Sequence, residues 1–323
     1  QVVPASSQCG REPELIQAPA KPQVEVANDV AKPPAEPSAE GYELKERLGE
    51  GSYGVVMRAI DLGSGDDVAI KSVQYEPKKI SSPGDIATHK QRLRLEVDLL
   101  LKCKHENIIG FRTSFDALDN GNACLWVVMD YCPDGSLLNL CLSQEKKGPK
   151  SIGEPATAHV TKGVLKGLNY LHADKNVIHR DVKPANILVG RAGKVKIADF
   201  GFAKEIGDDP LQSFLGTPCY MAPELYAGCK GYSFKADIWS LGICVLQMLT
   251  RQIPYPYNRT PYDEVGMIET VAARDAKLSY WLKEALQHDP MQRASAAELL
   301  GLQWLAARDV KVDADALDIL LVS

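Results

Sequence analysis

In the stretch VIHRDVKPANILV, residues 177 to 189, a carboxylate, two cations and an amide crowd together: Asp181, Arg180, Lys183 and Asn186, with His179 just ahead. The apolar runs around them, Val177-Ile178 and Ile187-Leu188-Val189, read as short buried strands flanking a tight loop. A polar turn between strands accounts for the polarity of the loop but not for its choice of residues. A site carried on a rigid scaffold accounts for both. Asp199, in KIADFGFAK, follows a further strand-like run. Asp199 and Asn186 are hard oxygen ligands that, with phosphate oxygens and water, can complete the shell of Mg²⁺, an ion that rarely takes an all-protein cage.

Two upstream features suit phosphate as well. GEGSYG sets Gly49, Gly51 and Gly54 in a turn between strand-like runs, where backbone without Cβ atoms can close on a phosphate chain and offer its N–H groups. Alone this signal is weak, because glycine-rich hairpins often only turn the chain; with no helix following, it also argues against a dinucleotide-binding turn. Lys71 ends the strand-like DVAIK, where a lysine ordinarily snorkels to solvent. Glu96 alters that reading. On a helix Leu93, Glu96, Leu99, Leu100 and Cys103 share one face, and a carboxylate in an apolar stripe is costly without a cation to pair with it. Lys71 is the natural partner, and the pair could position phosphates.

These groups need elements to hold them. The chain has 323 residues, 45% hydrophobic and 24% charged, an ordinary globular composition with room for about two domain-sized units or one two-lobed domain with tails. A formal charge of −5 offers no basic field for nucleic acid, and no apolar run approaches the roughly 18 residues of a membrane span. Gln1 opens no signal-peptide pattern, and the missing Met reads as a fragment or a processed chain. The eight cysteines form no C-x-x-C pair, which argues against zinc or a disulfide framework and for a reducing, cytoplasmic compartment, with nuclear access open.

Residues 1 to 41 are rich in Pro and Ala and lack a hydrophobic period, so they are expected to be disordered. YELKERLGEGSYGVVMRAID and DVAIKSVQ alternate like strands, HKQRLRLEVDLLLKCK reads as a helix, and CLWVVMDYC as a buried strand. Beyond Gly135 the texture is helical: Val160, Val164, Leu168 and Leu171 form a stripe, and ADIWSLGICVLQMLT is apolar nearly all round, as a buried helix is. The long SVQYEPKKISSPGDIATHK after Lys71 reads as a mobile loop. ADALDILLVS at the end is either a small packing helix or the cut end of a longer segment.

Taken in order, GEGSYGVV, VAIK, Glu96, HRDVKPAN, DFG, APE and DIWSLG, with the arginine of DPMQR, make the sequence resemble a eukaryotic protein kinase of the Ser/Thr type from about residue 42 to residue 307. The resemblance implies an α+β, two-lobed fold: a small β-rich lobe with one key helix (42–132), a larger helical lobe (133–308) and a tail (309–323). It implies ATP and Mg²⁺ as cofactors and protein Ser/Thr hydroxyls as acceptors. The glycine-rich stretch Leu48, Gly49, Glu50, Gly51, Ser52, Tyr53 and Gly54 would cover the phosphates. Val56 and Ala69 above, with Leu188 below, would sandwich adenine; Asp130 and Cys132 would give hinge hydrogen bonds, with Met129 behind them. Lys71, paired to Glu96, would hold the α and β phosphates. Asp181 would accept or orient the acceptor's proton, Lys183 would neutralise the transferring group, and Asn186 and Asp199 would hold the metal. Phe111, Leu100, Phe200 and His179 would stack as a spine, Glu224 would pair with Arg293, and Asp237 would pin the catalytic loop.

The resemblance also implies a switch. Ser213, four residues before Thr217, stands where relatives carry an activating phosphate, added by an upstream kinase or by autophosphorylation, and Arg180, Lys204 and Arg92 would converge on it. Thr217 is the alternative activating position. Two other classes are a pseudokinase scaffold, which typically lacks counterparts of Lys71, Asp181 or Asp199, and a small-molecule kinase, which generally lacks HRDxKPxN and APE; every one of these pieces is present. HRDVKPANILV is also similar to dual-specificity kinases, so tyrosine stays open as a second acceptor. The segment between Tyr257 and Trp281 is shorter than in the family, which puts the helix there in doubt.

Overall fold

The computed structural model describes residues 38–50, 54–76, 83–119, 121–145, 152–206, 216–226, 233–251, 268, 269, 271 and 275–306. The expectations for the first 37 residues, for Gly51, Ser52 and Tyr53, for Ser213 and for residues 309–323 lie outside these.

Strands β1 (Tyr42–Glu50), β2 (Gly54–Asp61), β3 (Asp67–Gln74), β4 (Phe111–Asp119) and β5 (Asn122–Asp130) form one antiparallel sheet in the order β1-β2-β3-β5-β4. Alternation along the central strands sends side chains to two faces. Val73, Leu125 and Val127 join the main core with Leu93, Leu99 and Leu100 of helix α1 (Pro83–Lys102). On the other face Ala59, Val68, Ile70, Cys124, Trp126 and Val128 make a small core of their own. Tyr42 and Phe115, from the two edge strands, stack across that face with ring centroids 5.7 Å apart. The sheet is therefore curled enough for its edges to meet, a consequence of strand twist that gives the second face its own cover.

Helix α1 corrects one expectation. The loop read between Lys71 and the helix is shorter, because residues 83 to 88 are already helical. Pro83 suits a first helical position, where an N–H would find no partner, and Asp85 stands in the first turn, where the helix dipole favours a carboxylate.

The remainder is mostly helical: α2 (Leu137–Glu145), α3 (Glu154–Asn169, continued by a single wider turn to Asp174), α4 (Pro223–Tyr226), α5 (Phe234–Thr250), α6 (Ala276–Ala285), α7 (Ala296–Gly301) and α8 (Gln303–Ala306). Short strands β6 (Val177–Ile178), β7 (Ile187–Gly190), β8 (Lys194–Ile197) and β9 (Lys204–Glu205) pair as β6-β9 and β7-β8 around the polar loop. The stripe Val160, Val164, Leu168 and Leu171 is buried, and α5 is buried from Ala236 to Leu249. Within the segment placed in doubt, Ile268 and Val271 are helical and buried, and α6 begins at Ala276, capped by the Asp275 carboxylate. Among the described residues no helix is long and apolar enough to cross a membrane.

Arg293 ties α4 to α5. Its guanidinium, 1% exposed, donates to both oxygens of Glu224 at 2.8 and 2.9 Å, to the carbonyls of Lys235 and Gln287, and lies over the Trp239 ring. A fork of this kind satisfies a buried charge, whereas one partner alone is left uncompensated. Arg293→Ala should therefore lower unfolding free energy by about 3–5 kcal/mol in urea melts, and replacing Arg293 and Glu224 together by Met should cost less than that single change.

Candidate active site

The polar loop between β6 and β7 is hung from α5. Asp237, in the first turn of that helix and buried, accepts the backbone N–H of His179 at 2.9 Å and of Arg180 at 2.8 Å, and a ring N–H from His172 at 2.9 Å. Burial pushes the Asp237 carboxyl up, but the His172 hydrogen bond, the charges of His172 and His179 and the loop N–H outweigh it and leave the group below the usual carboxylate range. Arg180 holds a left-handed φ of 68° and donates through Nε to the Phe202 carbonyl.

With its ends pinned, the loop turns Asp181 inward, 4% exposed. Three groups meet its carboxylate: Thr217 donates from its hydroxyl to Oδ1 at 2.8 Å, Asn186 donates from Nδ2 to Oδ2 at 2.9 Å, and the Lys183 ammonium lies 2.7 Å from Oδ2. Lys183 also donates to the Thr217 hydroxyl at 2.8 Å. Asn186 gives a second bond from Nδ2 to the Asp181 carbonyl at 2.8 Å, which fixes its amide and makes Oδ1 the atom that could hold a metal.

Across from this loop, Lys71 Nζ lies 2.7 Å from Glu96 and 2.9 Å from Asp199. Burial alone would push the Lys71 ammonium down, yet the two carboxylates raise it well above the usual lysine range. Asp199 is pushed up by burial and pulled further down by Lys71 and, to a smaller degree, by His179. Asp199 takes a left-handed φ of 63°, and Phe200 behind it is buried with its ring edge-on to His179 at 5.3 Å. Leu100 and Phe111 belong to the same core as Phe200.

The sheet's register supplies the roof. Val56 faces Lys71 across β2 and β3, and Ala69 faces Met129 across β3 and β5, so all four side chains leave the sheet on one side. Gly49 pairs with Val56 at the start of the glycine turn, between Leu48 and Glu50 of β1. Gly54 closes the turn against β3: a Cβ there would run into the carbonyl of Ser72, so no other residue fits without moving the strand. Where the sheet hands over to the helices, the Asp130 N–H donates to the Gly110 carbonyl at 2.9 Å. Cys132 follows, its thiol pushed up to about 11 chiefly by burial. Leu188, on β7, bridges to Ser136 beneath.

Of the residues assigned to a switch, Thr217 sits inside the Asp181 cluster, Lys204 lies in β9 opposite Ile178, and Arg92 is exposed one turn before Glu96. The sequence reading missed His172, whose only signal was a polar residue directly after the apolar stripe of α3. It also missed the hydrogen bond of Thr217 to Asp181, which brings together residues 36 positions apart.

Comparison with known proteins places this geometry in a class. Residues 42–305 match the protein kinase domain family, and the chain belongs to it. Among similar proteins are germinal center kinase 3 of Caenorhabditis elegans, 36% identical over 301 residues (83% of this chain, 47% of that protein), and the serine/threonine-protein kinase dst1 of Dictyostelium discoideum, 34% identical over 277 residues (83% and 35%). The serine/threonine-protein kinase STE20 of Candida glabrata is 36% identical over 282 residues (83% and 28%). The chain thus carries a serine/threonine-type, ATP-dependent protein kinase domain of two parts, a five-stranded sheet and a helical body, and spans less than half the length of these relatives.

Because Asp237 is held below the ordinary range, it contributes stability above its unfolded value of about 3.9 that is lost as pH falls through the lower folded value. Asp237→Asn should thus destabilise the domain at pH 7, by about 1.5–3 kcal/mol for a charged hydrogen bond. The gap between variant and wild type in urea midpoints should narrow as pH falls below about 4.

Proposed function

We propose that this domain transfers the γ-phosphoryl group of Mg-ATP to serine and threonine hydroxyls of protein substrates. One observation carries the reading: the Asp181 carboxylate already accepts a hydrogen bond from a hydroxyl, that of Thr217, at 2.8 Å, with the Lys183 ammonium beside both. An acceptor hydroxyl entering there meets the same base and the same cation. The retained Lys71, Asp181 and Asp199 favour an active enzyme over a pseudokinase scaffold.

Asn186 and Asp199 suit Mg²⁺, since each offers a hard oxygen and the phosphates supply others. The metal, when bound, neutralises charge on the phosphates. Lys71, kept cationic by Glu96 and Asp199, suits the α and β phosphates, and Lys183 suits the transferring group. The eight cysteines without C-x-x-C pairs support a reducing, cytoplasmic setting.

Asp181→Asn should reduce phosphate incorporation into a generic protein substrate by about 10²–10⁴-fold, with ATP affinity little changed because the residue faces the acceptor. Incorporation at the wild-type rate would remove Asp181 from this role.

Activation at Ser213 belongs to the same proposal. A phosphate there adds about −1.5 to −2 charge for Arg180, Lys204 and Arg92 to meet, and a link to Arg92 acts on the helix that carries Glu96. A bias of roughly 1.4 kcal/mol raises a minor active population about tenfold. Ser213→Ala should be weakly active and unresponsive to an upstream kinase, and phosphatase treatment should lower wild-type activity in parallel with loss of the Ser213 phosphate by mass spectrometry. Full activity with Ser213 unmodified would shift the switch to Thr217 or to a partner protein.

A further inference from the structure

Helix α1 makes polar contact with β3 through the Lys71–Glu96 pair and again two helical turns earlier. There the His89 ring, 5% exposed, brings Nε2 to 2.9 Å from the backbone carbonyl of Gln74. A carbonyl only accepts, so Nε2 carries the hydrogen. Gln74 ends β3 one residue beyond the last β2–β3 pair, Gly54 with Val73. Its carbonyl points the way that of Ser72 does, toward the β2 side, and there it lies past the start of that strand. The helix thus supplies the donor that a buried strand end calls for. The spacings of the two contacts match. His89, Leu93 and Glu96 fall on one buried stripe of α1, and seven helical residues rise about 10.5 Å. Lys71 and Gln74 are three residues apart on β3, about 10 Å of strand. Lys90 adds a looser contact just past the strand: its ammonium is 3.3 Å from Glu76 and 5.5 Å from the centre of the Tyr75 ring, whose hydroxyl donates to Asp116 on β4.

We propose that His89 is a positioning residue for nucleotide binding: its bond to Gln74 sets the register of α1 along β3 and so places the Glu96 carboxylate on Lys71. His89 touches neither nucleotide nor acceptor and acts only through Glu96. The inference rests on the reading that Lys71, paired with Glu96, holds the nucleotide phosphates. A rod held at one polar point can pivot and turn about its axis, whereas two points about 10 Å apart fix both. Without the His89 bond α1 keeps the apolar contacts of Leu93, Leu99 and Leu100, which are non-directional and tolerate a small rotation. Glu96 then leaves Lys71 more often, and Lys71 is left with Asp199. The net worth of one hydrogen bond corresponds to about two- to tenfold in such an equilibrium. The acceptor cluster of Asp181, Lys183 and Thr217 stands on other elements and is not reached by this change.

The test uses the full chain and three measurements: the dissociation constant of Mg-ATP, by displacement of a fluorescent N-methylanthraniloyl ADP; KM for a generic protein substrate; and amide hydrogen exchange of α1 without nucleotide. His89→Leu, which keeps an apolar body and removes the donor, should weaken Mg-ATP binding about two- to tenfold. It should leave KM for the protein substrate unchanged and speed exchange across residues 89–96. His89→Gln, whose amide offers a donor at nearly the reach of Nε2, should restore both nucleotide affinity and protection. In a Glu96→Gln chain, His89→Leu should weaken Mg-ATP binding no further, because the group it acts through is already altered. Wild-type affinity in His89→Leu, an equal loss with and without Glu96, or a loss that His89→Gln does not restore would each overturn the role of His89. Wild-type affinity in Glu96→Gln would instead overturn the assignment of the Lys71–Glu96 pair to the phosphates, and the role of His89 with it.

Discussion

The catalytic side of this molecule depends on one turn of helix, the first of α5. Its N-terminus is capped by Ser233, and Asp237 is held there as a carboxylate where unpaired N–H groups and the helix dipole favour negative charge. From that turn two connections leave in different directions. Asp237 takes the N–H groups of His179 and Arg180 and so fixes the loop that carries Asp181, Lys183 and Asn186. The carbonyl of Lys235 takes Arg293, and Arg293 takes Glu224, which anchors the stretch holding Thr217. Asp181 and Thr217 meet because both are hung from the same few residues of a rod buried along almost its whole length.

A second constraint joins the sheet to this frame. Lys71 belongs to β3, Glu96 to α1 and Asp199 to the segment after β8, and no two of them are neighbours in sequence. A buried ammonium is stable only with charge around it, and two carboxylates on one cation are stable only while it stays. The positions of strand, helix and segment are therefore mutually dependent: moving α1 away uncovers Lys71, and moving Asp199 uncovers it as well. The edge-on contact of Phe200 with His179, in the core that Leu100 and Phe111 also join, runs alongside, so the charged contact and the packed contact change together.

Much of this was legible because it depends on local pattern. The strands around the glycine turn, the stripe of α3 and the apolar rod of α5 each follow from a period of two or 3.6 residues, and Glu96 betrayed itself by sitting in an apolar stripe. What escaped depends on partners distant in sequence. β4, with the stretch FRTSFDALD, is an edge strand with mixed burial, so its alternation is blurred by Arg112, Asp116 and Asp119. The start of α1 was hidden because Pro83 and Gly84 signal a loop as readily as a first helical turn. Asp130 and Lys196 carried no signal of their interaction, since the 65 residues between them close up only when the fold does.

The two residues at the heart of the site with left-handed backbone, Arg180 and Asp199, show why the surrounding frame must be stiff. Neither is glycine, and a side chain in that region costs of order 1–3 kcal/mol, a cost that persists only where the surroundings overdetermine the conformation. Arg180 is overdetermined by the Asp237 carboxylate on its N–H and the Phe202 carbonyl on its guanidinium. Asp199 is held by Lys71 on one side and by buried Phe200 on the other. In each case the unusual φ turns a functional side chain out of the line of its strand: Arg180 toward the segment after Phe200, Asp199 toward Lys71. The strain and the direction of the side chain are one choice, and it is tolerable because charges buried nearby hold the backbone in place.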